Sequence, residues 1–346
     1  MAILPRGLLA FSIALVASLL FTVPVRALAL RVGMVDRPGP RKVHLTPVPL
    51  LGGLAIYTGF VLAILLTLDG AGRAQIAGIL AGATLVAVVG FLDDRGLLHH
   101  QVKLFGAMPL AAVILLLTGT RAQLFQTILG GRAGVIFDMV LTLFWVVGIT
   151  AAFSILDHMD GLCAGVAGVA ALFLAILACL AGQRLVSILA AAALGSAIGF
   201  LRWNFKPAKI FMGDGGAMFL GFLMATLGLK LRLSGAPSPA VELVPVLVLG
   251  VPIFDTTLVS ISRTRRGLLA FTTPGKDHTA HRVANLGLGE RNAVLAMYAL
   301  GAVFGLLGLL ASGLSPRSGV VLAAAVGAAS LAGVAWLERV PFERQS

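Results

Sequence analysis

The chain has 346 residues, of which 59% are hydrophobic and only 12% charged, with a formal net charge of +12. Soluble globular domains carry roughly 25% charged residues, so this composition excludes one and suits a protein whose solvent is lipid. The basic residues are scattered among the connections between apolar runs and no nucleic-acid motif is present, so the positive balance reads as membrane topology and excludes nucleic acid binding.

Apolar stretches of about 17–25 residues, long enough to span a bilayer, fall near 8–30, 51–68, 74–92, 104–120, 135–155, 164–181, 184–201, 215–232, 243–261, 292–312 and 318–337. The expectation is an all-α polytopic membrane protein of about eleven transmembrane helices, forming one integral membrane unit over 1–346. The first span follows Arg6 in the manner of a signal peptide, but the chain continues through basic residues into further spans, which favours a retained helix. Only AGQR separates spans six and seven.

The connections after spans 1, 3, 5, 7 and 9, with the C-terminal tail and Arg26, hold 18 of the 26 Lys and Arg residues. Basic loops stay in the cytoplasm, so the N-terminus is expected outside and the C-terminus inside. All six histidines and eight of the ten aspartates fall on that same cytoplasmic side. Gly78–Gly82, Gly195–Gly199 and Gly301–Gly305 have the small-xxx-small spacing of helix-packing faces. Trp145, Trp203 and Trp336 are expected at span ends, and Cys163 and Cys179 have no metal-binding or disulfide spacing.

The chemistry lies where rare charges meet span ends. The loop DRPGPRKVHLTPVPLLGG offers Arg41, Lys42 and His44 between prolines and paired glycines. Asp93 and Asp94 close span three, where the negative end of the helix dipole disfavours anions unless a cation is shared. Asp157 and Asp160, three apart in ILDHMDG, form a second carboxylate pair. Asp214 sits in GDGG directly before span eight, preceded by Asn204, Lys206 and Lys209, and is either a helix cap or part of a phosphate or metal site. The loop after span nine ends in DHTAHR, whose H-x-x-H spacing suits an anion such as a diphosphate better than zinc, since no further zinc ligand is near. Carboxylates suit Mg²⁺ and basic loops suit phosphate oxygens, the components of phosphoryl transfer.

These segments together resemble the polyprenyl-phosphate N-acetylhexosamine-1-phosphate transferases, glycosyltransferase family 4, in the branch that uses UDP-N-acetylglucosamine. The likeness rests on VDRPGPRKVHLTPVPLLGG, FLDDRGLL followed by Lys103, LDHMDGLCAG, NFKPAKIFMGDGGAMFLG, PIFDTTLVSISRTRRG and GKDHTAHRVANLGLGERNAV, in that order.

The resemblance implies transfer of a sugar 1-phosphate from a UDP-sugar to undecaprenyl or decaprenyl phosphate, with release of UMP, to start a lipid-linked envelope glycan. It implies Mg²⁺, with Mn²⁺ as a substitute, a bacterial inner membrane, a cytoplasmic active site and room for a homodimer. By position, Asp93 and Asp94 would serve the lipid phosphate, Asp157 and Asp160 the nucleotide end, and Asp214 the metal with weak help from Ser154. Arg41, Lys42, His44, Lys103, Asn204, His278, His281 and Arg282 would bind substrate. Ser154 and Ala151 stand where relatives carry Asn, and His158 where they carry Gly or Asn. A catalytically degenerate relative and a secondary transporter are the alternatives, the latter requiring ionisable groups near the bilayer midplane.

Overall fold

The computed structural model describes residues 3–36, 47–68, 72–98, 100–233, 239–269 and 275–342. In chain order the long helices are α1 (Ile3–Arg31), α2 (Gly52–Thr67), α3 (Arg73–Asp94), α4 (Met108–Leu117, entered through the π-helical turn Lys103–Ala107), α5 (Gly131–Leu156), α6 (Leu162–Leu180), α7 (Arg184–Asn204), α8 (Gly213–Lys230), α9 (Gly250–Arg265), α10 (Gly289–Ser312) and α11 (Pro316–Leu337). Among the described residues, seven helices are long and apolar enough to cross a membrane, and Gly52–Thr67 and Lys103–Leu117 are shorter apolar ones. The protein is a multi-pass helical membrane protein.

A helix overlaps each stretch read as a span. α8 is less apolar because it starts with Gly213–Asp214 and ends at Lys230. The stretch 243–261 is split into Val244–Val248 and α9. Pro252 has no N–H to give the carbonyl of Val248, so the helical ladder cannot run through unbroken.

α8 is the axis of the bundle. Every residue from Gly215 to Leu229 is buried, as expected for a helix that is apolar all round, and it packs against α3, α5, α2, α6 and α7. α11 lies at the rim and exposes Val321, Leu331 and Trp336. α1 packs on α7 and α2, and the Gly195–Gly199 pair makes the first of these contacts possible. A Cβ at Gly195 would sit 2.2 Å from the carbonyl oxygen of Phe11, and one at Gly199 2.4 Å from that of Leu15. Ser18 Oγ donates to the Ser196 carbonyl and Trp203 Nε1 to that of Leu19.

Trp145 departs from its expected place at a span end. It lies mid-way along α5, partly buried, and its Nε1 donates to the Ala225 carbonyl of α8. An indole placed there anchors two helices through the hydrogen bond that a buried N–H requires.

A small addition to the all-α expectation follows α1. Strands β1 (Val35–Asp36) and β2 (Val48–Pro49) pair antiparallel, and Gly52 and Gly53 donate their N–H groups to the carbonyls of Phe211 and Met212. Gly53 packs on Gly216, where a Cβ would come within 2.3 Å of the Gly216 nitrogen. The paired glycines thus fasten the start of α2 to the start of α8.

Candidate active site

Three helix ends converge at the start of α8. Gly90 and Gly215 let α3 and α8 approach so closely that a Cβ on Gly90 would lie 2.6 Å from Gly215 Cα. The carboxylate of Asp94 therefore reaches the free amides of α8, accepting from Asp214 N at 2.8 Å and Gly215 N at 3.2 Å. A carboxylate there complements the positive end of the helix dipole, and Asp94 fixes where Asp214 points.

Asp214 lies in the first turn of α8 rather than at its cap. Its Oδ1 accepts from Ser154 Oγ of α5 at 2.6 Å. Its Oδ2 and Asp93 Oδ2 of α3 each lie 2.6 Å from the ammonium of Lys103. Lys103 is thus a bridge between two aspartates from different helices.

Asp157 follows the end of α5. Burial and the charges of Asp214, Asp94 and Asp160 push its carboxyl from the ordinary 3.8 up to about 8. Asp160 Oδ2 accepts from Ala208 N at 3.0 Å.

Four carboxyl groups, Asp93, Asp94, Asp157 and Asp214, thus lie close enough to act on one another, and one ammonium bridges two of them, Asp93 and Asp214. The donors are hard oxygens with a serine hydroxyl among them, the set that suits Mg²⁺ rather than a thiophilic metal. The ammonium already held between Asp93 and Asp214 shows that this position accepts positive charge.

A second cluster adjoins through His158. Asp255 of α9 accepts from Thr279 N at 2.6 Å, and its other oxygen lies 2.9 Å from His278 Nδ1. His278 Nε2 is 3.4 Å from an Arg263 guanidinium nitrogen. Arg263 and Arg266 both grip Asp277. Burial opposes the Asp277 charge, but its hydrogen bonds from Arg263 and Arg266 and the charges of Arg263 and His278 hold the carboxyl below its ordinary range.

The His158 ring stacks on His278 at 4.0 Å and on His281 at 4.7 Å between centroids. Burial, then the neighbouring His278, drives its basicity well below normal, so the ring is neutral. Ligand atoms of His158, Asp255 and His278 lie within 4.8 Å of one another, yet both His278 nitrogens already face partners.

Residues 76–232 match the family described as Glycosyl transferase family 4. The chain is 36% identical to a probable undecaprenyl-phosphate N-acetylglucosaminyl 1-phosphate transferase of Bacillus subtilis over 86% of its length and 83% of the relative's. The chain belongs to glycosyl transferase family 4. Another member, the decaprenyl-phosphate N-acetylglucosaminephosphotransferase of Mycobacterium tuberculosis, is 33% identical, covering 80% of this chain and 75% of its own. The undecaprenyl-phosphate alpha-N-acetylglucosaminyl 1-phosphate transferase of Escherichia coli K12 is 27% identical over 88% and 85%.

The stretch matching family 4 holds Asp93, Asp94, Lys103, Ser154, Asp157, Asp160, Asn204 and Asp214. The structure brings Asp93, Asp94, Lys103, Ser154, Asp157 and Asp214 together. Asn204, expected among the substrate contacts, has structural partners. It is buried, with Oδ1 accepting from Gly161 N and Nδ2 donating to the Ile210 carbonyl, so it holds the 157–161 turn against the approach to α8.

Arg282 is likewise enclosed. Its guanidinium is fully buried and donates to the carbonyls of Asp277, Leu337 and Val340, to Ser262 Oγ and to Glu338 Oε1. It ties the DHTAHR helix to the end of α11 and presents nothing to a diphosphate. His278 is buried against Asp255, and His281 is the more open of the two histidines. Arg41, Lys42 and His44 lie outside the described residues.

Asp255, Arg263 and Asp277 carry the second cluster without having been assigned roles from sequence. The available signal was an isolated Asp in the apolar run PIFDTT.

Proposed function

We propose that the chain transfers N-acetylglucosamine 1-phosphate from UDP-N-acetylglucosamine to a polyprenyl phosphate, releasing UMP, at the cytoplasmic face of a bacterial inner membrane. The observation that carries this reading is the Lys103 ammonium bridging Asp93 and Asp214, with Asp94 and Ser154 fixing the direction of Asp214. The names of the relatives, all transferases of this one group to a polyprenyl phosphate, support the substrate pair.

An oxygen of the lipid phosphate attacks the sugar-linked phosphorus, forming the new P–O bond while the bond to the oxygen of UMP breaks. Asp93, at the edge of the cluster, takes any proton left on the lipid phosphate and orients its oxygens. Lys103 meets the negative charge of the incoming phosphates. Asp214, held by Ser154 and Asp94, with Asp93 opposite, would hold Mg²⁺. When bound, the ion supplies charge neutralisation of the diphosphate. The ring of His281, stacked on His158, would serve the nucleotide end with Asp157.

The membrane reading is eleven crossings with the N-terminus outside. That puts Asp93, Asp94, Asp157 and Asp214 at the cytoplasmic ends of their helices, away from the midplane where a transporter would carry them. The test is UMP release by the purified protein from UDP-N-acetylglucosamine with undecaprenyl phosphate in detergent. Asp93→Asn and Asp214→Asn are each expected to lower turnover by about 10²–10⁴-fold. Two fully active variants sink the assignment.

A further inference from the structure

α3 and α8 both run from the aspartate cluster to the far end of the bundle, about 25 Å away at 1.5 Å per residue. A second polar site lies there. A cavity of about 400 Å³ is lined by Gln75 at the start of α3, Thr120 after α4, Gln183 and Arg184 at the start of α7, and Lys230 and Arg232 at the end of α8. Three of these six side chains are cationic, and no carboxylate lines the cavity among the described residues.

The cavity is built rather than incidental. Lys230 Nζ donates to Gln75 Oε1 at 2.7 Å, which aims the ammonium across the opening. Gln183 accepts from Arg232 N through its Oε1 and donates to the Lys230 carbonyl through its Nε2. The Arg232 guanidinium is pinned by the carbonyls of Leu229, Leu231 and Arg121. Asp138 and Glu242 act on Arg232 electrostatically, but the Asp138 carboxylate already accepts from the amides of Phe125 and Gln126.

The neighbourhood is lipid-facing, since Leu117 is 81% and Leu180 72% exposed.

We infer that this cavity, at the end of the bundle opposite the aspartates, is a phosphate-binding site that takes a lipid phosphate headgroup or the free ion. Phosphate oxygens match the inventory of an ammonium, a guanidinium rim and a carboxamide. The inference does not rest on the transferase reading.

The experiment follows acylation of Lys230 in the purified full chain by a water-soluble amine reagent, read by peptide mass spectrometry. Three probes are added in turn: dihexanoyl phosphatidic acid, inorganic phosphate and uncharged dihexanoylglycerol. A phosphate site predicts that Lys230 labelling slows about tenfold with saturating phosphatidic acid. Arg184→Gln, which removes one of the three cationic side chains of the lining, should then need about tenfold more probe for the same protection. Protection by phosphatidic acid alone assigns a lipid headgroup, and equal protection by inorganic phosphate assigns the free ion. Protection by neither, or equal protection by dihexanoylglycerol, overturns the inference. Gln75→Leu, which removes the partner that aims the Lys230 ammonium, serves as the second variant if Arg184→Gln unfolds, with the same expected loss of protection.

Discussion

Lys103 stands where two carboxylates from different helices would otherwise repel. Replacing the ammonium with an apolar chain of similar length leaves Asp93 and Asp214 facing each other without a counter-charge. Lys103→Met is therefore expected to lower turnover about 10²-fold, as loss of one charge-stabilising donor does elsewhere. The same change should also lower the Mg²⁺ concentration needed for half-maximal activity, because the competing cation is gone. Asp157 makes the second prediction. Its folded-state carboxyl titrates near 8 rather than 3.8, so the native chain keeps a proton that the unfolded chain has lost. Stability is full below about pH 4 and declines as pH rises towards 8. In EDTA, Asp157→Asn should flatten that decline, a difference read from thermal unfolding midpoints at pH 5 and pH 8. The aspartates were legible in the sequence because charges are rare and costly in an apolar chain, so Asp93, Asp94 and Asp214 stood out. The surroundings of Arg282 were not legible: a solvated arginine and a buried one are the same letter, and only the fold shows its donors met by the carbonyls of Leu337 and Val340.

Helices were legible at this scale through length and apolarity alone, which is why each stretch read as a span carries one. The partners of each face were not legible, because in lipid every face is apolar and the pattern that marks a core in water is absent. Small residues carry the surviving signal. The Gly195–Gly199 pair was read as a packing face, and it is where α7 meets the backbone of α1. Gly195→Ala places a methyl group 2.2 Å from the Phe11 carbonyl oxygen. Over-packing of this kind costs about 1–3 kcal/mol, so the variant should unfold at a lower temperature in detergent. Gly148→Ala serves as the control, because a Cβ there meets nothing within 4 Å and should leave the midpoint unchanged. Trp145 escaped the sequence reading because its partner, the Ala225 carbonyl, is 80 residues away.

At the scale of the whole molecule, the two ends of the bundle differ in chemistry. Asp93, Asp94, Asp157 and Asp214 gather at one end with His158, His278 and His281, and the Lys230 cavity lies at the other. Charge bias adds direction, because the end holding the aspartates also carries most of the lysines and arginines and basic connections are retained in the cytoplasm. A UDP-sugar is a cytoplasmic nucleotide, so chemistry and charge bias call for the same orientation. Two exposed positions read it out: Leu97, just beyond Asp94, and Arg317, at the start of α11. Cysteines are introduced singly in a Cys179→Ser background, since Cys163 is buried and unreactive from solvent. A membrane-impermeant maleimide should label Leu97→Cys only in inverted vesicles and Arg317→Cys only in right-side-out spheroplasts. Labelling both from one side would mean that an odd number of crossings does not separate them. The reverse pattern would put the aspartates outside, where no UDP-sugar reaches them, and the transferase assignment would fall with the topology.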